Sequence, residues 1–263
     1  MSHRSSRTAL AASHQRSWLW GRHAVTETLK AGRWPVLELF ADEELPHEQR
    51  VMLQTLAVKH EIDVRLLAAS KLTSFCRAHD HQGVLARMGE FPCGTLEDLR
   101  TLLPDSADSA GTVPLFVICD RIQDAHNFGA ILRCCDAMRV TGVIIGERSQ
   151  ASVTPHVARS SAGAVNYQTI FRVAELVSAA RVLKSSGVKV VAATEKAAMT
   201  LWETDLRHPV AVVIGTESTG IAQELLRFCD VQISIPMLGR VTSLNAAVAA
   251  GIVLCECRRQ QAD

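Results

Sequence analysis

The sequence predicts an α/β protein: a C-terminal, mostly parallel sheet with helices on both faces, preceded by a small α/β domain. Three observations predict it. From Leu115 onward, short and almost unbroken apolar runs alternate with longer stretches of helical periodicity, the pattern of strands buried on both faces of a parallel sheet. Before Phe91 a smaller alternation of the same kind occurs, enough for one compact unit. Between them, PCGTLEDLRTLLPDSADSAGTVP holds one short helix and a stretch of Asp, Ser, Gly and Pro, a composition that marks a linker. The expected division is a disordered tail at 1–16, a domain at 17–91, a linker at 92–112 and a second domain at 113–263.

In the first domain GRHAVTETLKAG reads as a short helix closed by Gly32, and VLELFADEE as a strand leaving into an acidic turn. EQRVMLQTLAVKHEI follows as an amphipathic helix, DVRLLA as a strand, and KLTSFCRAHDHQGVLARM as a helix and then a strand after Gly83. In the second domain the strands are LFVICD, VTGVIIG, VKVVAAT, PVAVVIG and DVQISIP. The helices are FGAILRCCDAMR, VAELVSAARVLKSS, GIAQELLRFC and a last one from Asn245 to about Gln260.

Composition bounds the function classes. The 263 residues are 48% hydrophobic and 21% charged, as expected of a globular chain able to bury a core. A net charge of +1 leaves room for a local basic face and so does not exclude nucleic acid. Aromatic residues make up only 5%, so any RNA contact should rest on Arg, Lys and backbone amides rather than on rows of stacking rings. The eight cysteines form no CxxC pair, and several sit inside apolar runs, which predicts reduced thiols and a cytoplasmic location. The ten histidines are scattered, and no metal is expected. No run reaches the roughly 18 apolar residues of a membrane span. The Arg- and Ser-rich opening MSHRSSRTALAASHQRSW reads as a tail, or as a transit peptide if the source is eukaryotic.

Ligands of parallel sheets gather at the carboxyl ends of the strands, and three unusual segments lie there. In DRIQDAHNFGAILR, Asn127 is a candidate N-cap, and Gly129 leaves space on the face that Arg133 shares. In VVIGTESTGIAQEL a buried strand ends at Gly215, a polar turn carries Glu217, and Gly220 opens the next helix. That turn lacks the Gly-Lys-Ser/Thr ending of a phosphate loop and is not GxGxxG, so a mononucleotide-phosphate or dinucleotide enzyme is disfavoured. In ISIPMLGRVTSLNAAVAAGIVLCE a strand stops at Pro236. Ser243 and Asn245 then open a helix of unusually small residues.

Together these segments resemble the three signature motifs of the SpoU (TrmH-like) RNA 2′-O-ribose methyltransferases of the SPOUT superfamily. The first motif, N-x-G-x-x-x-R, is met by Asn127, Gly129 and Arg133. The second, G-x-E-x-x-G, is met by Gly215, Glu217 and Gly220. The third, I-P-M-x-G-x-x-x-S-L-N, is met by Ile235, Pro236, Met237, Gly239, Ser243, Leu244 and Asn245. The resemblance spans about Leu115 to Arg259. The first domain looks, more loosely, like the ribosomal-protein-like substrate-binding domain that many members carry. One departure is NAAVA, where members often have a serine after a valine.

The resemblance implies transfer of a methyl group from S-adenosylmethionine to a ribose 2′-hydroxyl of structured RNA. Ribosomal RNA is preferred over transfer RNA, with guanosine a candidate nucleotide. It also implies a deep trefoil knot near the C-terminus, which general topology rules would not suggest. It implies a homodimer, with the active site at or near the subunit interface. DNA and membranes are not expected partners. Gly215, Ile235 and Leu244 would hold the cofactor through backbone groups, with Met237, Gly239, Ser243 and Thr194 nearby. Arg133 would stand at the target ribose, Asn127 would orient it or the ribose, and Glu217 and Asn245 would fix the loops or touch the nucleotide. His126 is a rival proton acceptor, because an imidazole titrates near neutrality. A guanidinium stays protonated far above neutral pH, so Arg133 is read as an electrostatic stabiliser rather than as the base. The competing readings are a catalytically silent RNA-binding or ribosome-assembly factor on the same scaffold and a small-molecule methyltransferase.

Overall fold

The structure, a computed structural model, describes residues 17–103 and 111–262. The expected tail at 1–16 and part of the expected linker lie outside the described residues. Contacts divide the chain into two units, 1–92 with 153–167, and 93–152 with 168–263.

In the first unit the strands are β1 (Trp18–Trp20), β2 (Val36–Asp42), β3 (Val64–Leu67) and β4 (Val84–Met88). They lie in the order β1-β4-β2-β3. β4 is antiparallel to both β1 and β2, and β3 is parallel to β2. Helices α1 (Arg22–Ala31), α2 (His47–Val58) and α3 (Ala69–Cys76) connect them. α1 ends where expected, with Gly32 in the left-handed conformation and its N–H returned to the Thr28 carbonyl. β1 was not foreseen, because three residues are too short for an alternation to show. Its two tryptophans nevertheless join Phe40, Leu72, Cys76 and Leu85 in one core, and Trp18 stacks on Phe75 at 5.2 Å.

The contiguous domain expected at 113–263 is interrupted. Helix α6 (Pro155–Ser160) and the 3₁₀ turn Ala164–Tyr167 pack with the first unit. Arg159 Nη2 donates to Asp80 Oδ2 at 2.6 Å and lies over the Trp20 ring. Trp20 Nε1 donates to the other carboxylate oxygen at 2.9 Å. The buried Asn166 amide donates to Thr28 Oγ1. No periodicity signals such an excursion, since it depends on which surface a short helix happens to meet.

The second unit opens with α4 (Leu96–Leu102) inside the expected linker. A reciprocal capping box between Thr95 and Asp98 starts it, and Leu99 is fully buried in this unit's core. Six parallel strands follow: β5 (Leu115–Cys119), β6 (Gly142–Gly146), β7 (Ile170–Val173), β8 (Lys189–Ala193), β9 (Val210–Ile214) and β10 (Val231–Ile233). Their order is β10-β8-β9-β5-β6-β7. β5 and β9 are buried at every position, as their unbroken apolar sequences require when helices cover both faces. β7, an edge strand interrupted by Arg172, is not among the expected strands, and its last residue, Val173, opens the expected helix VAELVSAARVLKSS. The helices are α5 (Ala125–Ala137), α7 (Leu176–Ser185), α8 (Gln223–Phe228) and α9 (Ala246–Ala262). Among the described residues, no helix is long and apolar enough to cross a membrane.

Candidate active site

β8, β9 and β10 are neighbours and end side by side. The loops leaving their carboxyl ends line an open cleft. Six of the seven residues expected at a cofactor line it: Thr194, Gly215, Ile235, Met237, Ser243 and Leu244. Gly239 does not. It follows Leu238, whose side chain is 92% exposed, on the outside of the loop. The spacing of a motif shows that a glycine is in the loop but not which side of the loop it occupies.

Gly215 is where β9 gives way to the polar turn. A Cβ there would overlap the carbonyl group of Gly220 and lie 2.6 Å from the Ile221 nitrogen, so only glycine lets the two backbones meet. The turn closes on itself, with the Gly220 N–H donating to the Thr216 carbonyl at 2.9 Å. Gly220 itself has φ +65.

The three sequence segments converge on one carboxylate. Glu217 Oε1 accepts from Asn127 Nδ2 at 2.8 Å, from Asn245 Nδ2 at 3.0 Å and from the Ala246 N–H at 3.1 Å. Asn245 Nδ2 also donates to Asn127 Oδ1 at 2.9 Å. Asn245 Oδ1 caps α9 by accepting from the Ala247 N–H. Glu217 thus places its negative charge at the positive end of a 17-residue helix. It pins that helix to the start of α5.

Asn127 is not the N-cap of α5. Asp124 holds that position, and its Oδ1 accepts the Asn127 N–H at 2.7 Å. Both residue types cap well, so sequence alone could not choose between them. The consequence is functional, because an Asn127 side chain used as a cap would not be available to Glu217 and Asn245.

Arg133 lies farther along α5, exposed, and is not among the residues lining the cleft. Among the described residues it makes no hydrogen bond or salt bridge. The exposed His126 likewise makes none. The neighbouring thiols are not nucleophiles. Burial pushes Cys119, at the end of β5, up to about 12, and burial holds Cys135 of α5 well above the ordinary thiol range, so neither forms thiolate near neutrality.

Two acidic residues escaped the sequence reading. One is Asp124, and the signal for it was its place just before the helical run. The other is Asp120, only 3% exposed, whose Oδ2 accepts the Ala222 N–H beyond the Gly220 turn. No local pattern predicts a contact across 102 positions.

Residues 114–255 match the SpoU rRNA Methylase family, and residues 18–92 match the RNA 2′-O ribose methyltransferase substrate binding family. A Bacillus subtilis protein assigned by name to the TrmH family of tRNA/rRNA methyltransferases is 33% identical over 95% of this chain and 98% of its own length. The 23S rRNA (guanosine-2′-O-)-methyltransferase RlmB of Shewanella oneidensis is 31% identical over 92% of this chain and 97% of its own. Among solved structures, the SpoU methyltransferase AviRb of Streptomyces viridochromogenes in complex with AdoMet superposes with a TM-score of 0.75. It shares 27% identity, over 93% of this chain and 90% of that one.

Proposed function

The chain belongs to the SpoU rRNA methylase family and is an S-adenosylmethionine-dependent RNA 2′-O-methyltransferase. From that premise we propose that its substrate is large-subunit ribosomal RNA, with a guanosine ribose as the acceptor. The observation that carries the catalytic reading is the meeting of Asn127, Glu217 and Asn245 beside the cleft. The ribosomal preference draws on the RlmB relatives, which act by name on 23S rRNA.

The cleft suits the cofactor. Ile214, Ile233, Ile235, Met237 and Leu244 give it apolar walls, while Gly215 presents bare backbone at its floor. That combination takes a flat purine between aliphatic side chains and reads its edge with peptide groups. When bound there, S-adenosylmethionine supplies a methyl carbon already activated by the sulfonium. The protein then has to align that carbon with the ribose oxygen, and alignment is worth roughly 7–11 kcal/mol. Glu217 and Asn245 hold the loops, and Asn127 holds α5 against them.

Arg133 binds the phosphate next to the target ribose and stabilises the charge that develops on the 2′-oxygen. Because it lies outside its own cleft, we place it at the cleft of a second copy. The exposed stripe Val248, Ile252 and Cys255 of α9 supports a two-fold pairing of identical faces. The trefoil knot is inferred from membership of the family alone. We assign the enzyme to the cytoplasm, in keeping with its eight free cysteines.

Labelled methyl transfer to ribosomal RNA and to transfer RNA, followed by mapping of alkali-resistant linkages, tests the proposal. A methylated ribose in large-subunit RNA is expected. Transfer confined to transfer RNA, or to a base, overturns it. Sedimentation at micromolar concentration tests the dimer, and a monomer with full activity refutes the placement of Arg133.

A further inference from the structure

We propose that Arg121 is a positioning residue for the cofactor cleft: with Asp120 it clamps the far end of the turn that carries Glu217. The proposal rests on reading the cleft as the cofactor site.

β5 ends at Cys119, and the next residue places a carboxylate in the interior, with the Asp120 side chain 4% exposed. Arg121 neutralises it, with Nε donating to Oδ1 at 3.1 Å and Nη2 to Oδ2 at 3.3 Å. The same Nη2 reaches on to the carbonyl oxygen of Gly220 at 3.1 Å, 99 positions along the chain. Asp120 Oδ2 takes the N–H of Ala222 two residues later. One aspartate–arginine pair therefore holds the segment Gly220–Ala222 by both a carbonyl and an amide.

That segment is the one packed against Gly215. The Gly220 carbonyl group occupies the space a side chain at 215 would need, and both glycines line the cleft. The near side of the turn is tied to α5 and α9 through Glu217. With Arg121 anchoring the other side, the turn is held from both ends, and the backbone groups facing the cleft are set before any ligand arrives. Pre-set groups bind without the cost of ordering them.

Arg121 has φ +60, a left-handed conformation that is unfavourable for a residue with a Cβ. Such conformations persist where the surroundings over-determine them, often at functional sites. Glycine adopts this conformation freely. Arg121→Gly therefore removes the arginine half of the clamp and relieves the backbone, but it leaves the Asp120 carboxylate without its cation, so its fold is checked by far-ultraviolet dichroism before binding is read.

The experiment measures S-adenosylmethionine binding by calorimetry, and KM and kcat with RNA, for the full chain, Arg121→Gly, Arg121→Lys and Ser243→Phe. Ser243 is exposed and lines the cleft, so phenylalanine there obstructs the cleft without disturbing the core. Arg121→Gly is expected to weaken cofactor binding about tenfold and raise the cofactor KM to match, with kcat within about threefold. Arg121→Lys, which can serve Asp120 or Gly220 but not both in the same geometry, should fall between. If Ser243→Phe abolishes binding while Arg121→Gly binds as the wild type does, the clamp is refuted and the cleft stands. If Ser243→Phe binds normally, the cleft assignment falls and the clamp with it. A drop in kcat at unchanged cofactor KM also refutes the clamp, because it places Arg121 at the RNA.

Discussion

Asn127 and Glu217, 90 positions apart, share a hydrogen bond of 2.8 Å from amide nitrogen to carboxylate oxygen. The oxygen that receives it also receives Asn245 and the first N–H of α9, so a single atom joins the start of α5, the turn after β9 and the start of α9.

Replacing Glu217 with alanine releases all three donors. The two asparagine amides are exposed and the Ala246 N–H is part-buried, so the stability loss is about 1–2 kcal/mol, and differential scanning calorimetry should show a fall of a few degrees. The functional loss should be larger, with cofactor affinity down at least tenfold. Glu217→Gln keeps an acceptor oxygen and should lose less on both measures. Unchanged cofactor affinity in Glu217→Ala would remove the carboxylate from the site.

Gly215→Ala forces a methyl group into the Gly220 carbonyl. Backbone cannot rotate out of the way as a side chain can, so the turn must open. Cofactor binding should fall below detection in a calorimetric titration, while the far-ultraviolet dichroism stays that of the wild type. A variant that binds with wild-type affinity would show that the contact at Gly215 is not needed.

Arg133 distinguishes two chemistries. As an electrostatic stabiliser its loss in Arg133→Ala should cost about 10²–10³ in kcat. Arg133→Lys should recover part of the rate with the pH profile unmoved. Full rate in the lysine variant with a lower pH optimum would establish the residue as the proton acceptor.

Asp80 gives a stability test in the first unit. The Trp20 hydrogen bond holds its carboxyl below the ordinary aspartate value; burial opposes it, and the Arg159 guanidinium adds to the lowering. A folded-state value below the unfolded one contributes stability at pH above the ordinary range, and that contribution is lost as pH falls through the folded value. Asp80→Asn should therefore melt slightly below the wild type at pH 7, and the gap should close toward pH 3. Arg159 and Asp80 are 32% and 64% exposed, so the gap is a few degrees at most. A difference that stays constant with pH would rule out the ionised pair as its cause.

The alternation from Leu115 onward revealed five of the six parallel strands, because a strand buried on both faces must be apolar throughout. β1 and β7 escaped, the first lying in the polar run SHQRSWLWGRH and the second being broken by Arg172. The sequence motifs supplied the residues of the site, and the structure sorted them. Asn127, Glu217 and Asn245 came together, Gly239 fell outside the cleft, and Asp124 took over the capping of α5.

By itself the sequence determined the α/β class, the glycine at 215, the small-residue helix and the identity of the residues that meet at Glu217. Each of these is local, because strand periodicity, backbone freedom and side-chain chemistry are properties of short segments. Only the tertiary structure decided that 153–167 packs with the first unit, that Asp120 and Arg121 close on the segment Gly220–Ala222, and that Arg133 is not among the residues lining the cleft. Those outcomes depend on which surfaces meet across separations from 79 to 138 residues, and hydrogen bonds of that span leave no periodic trace in the chain.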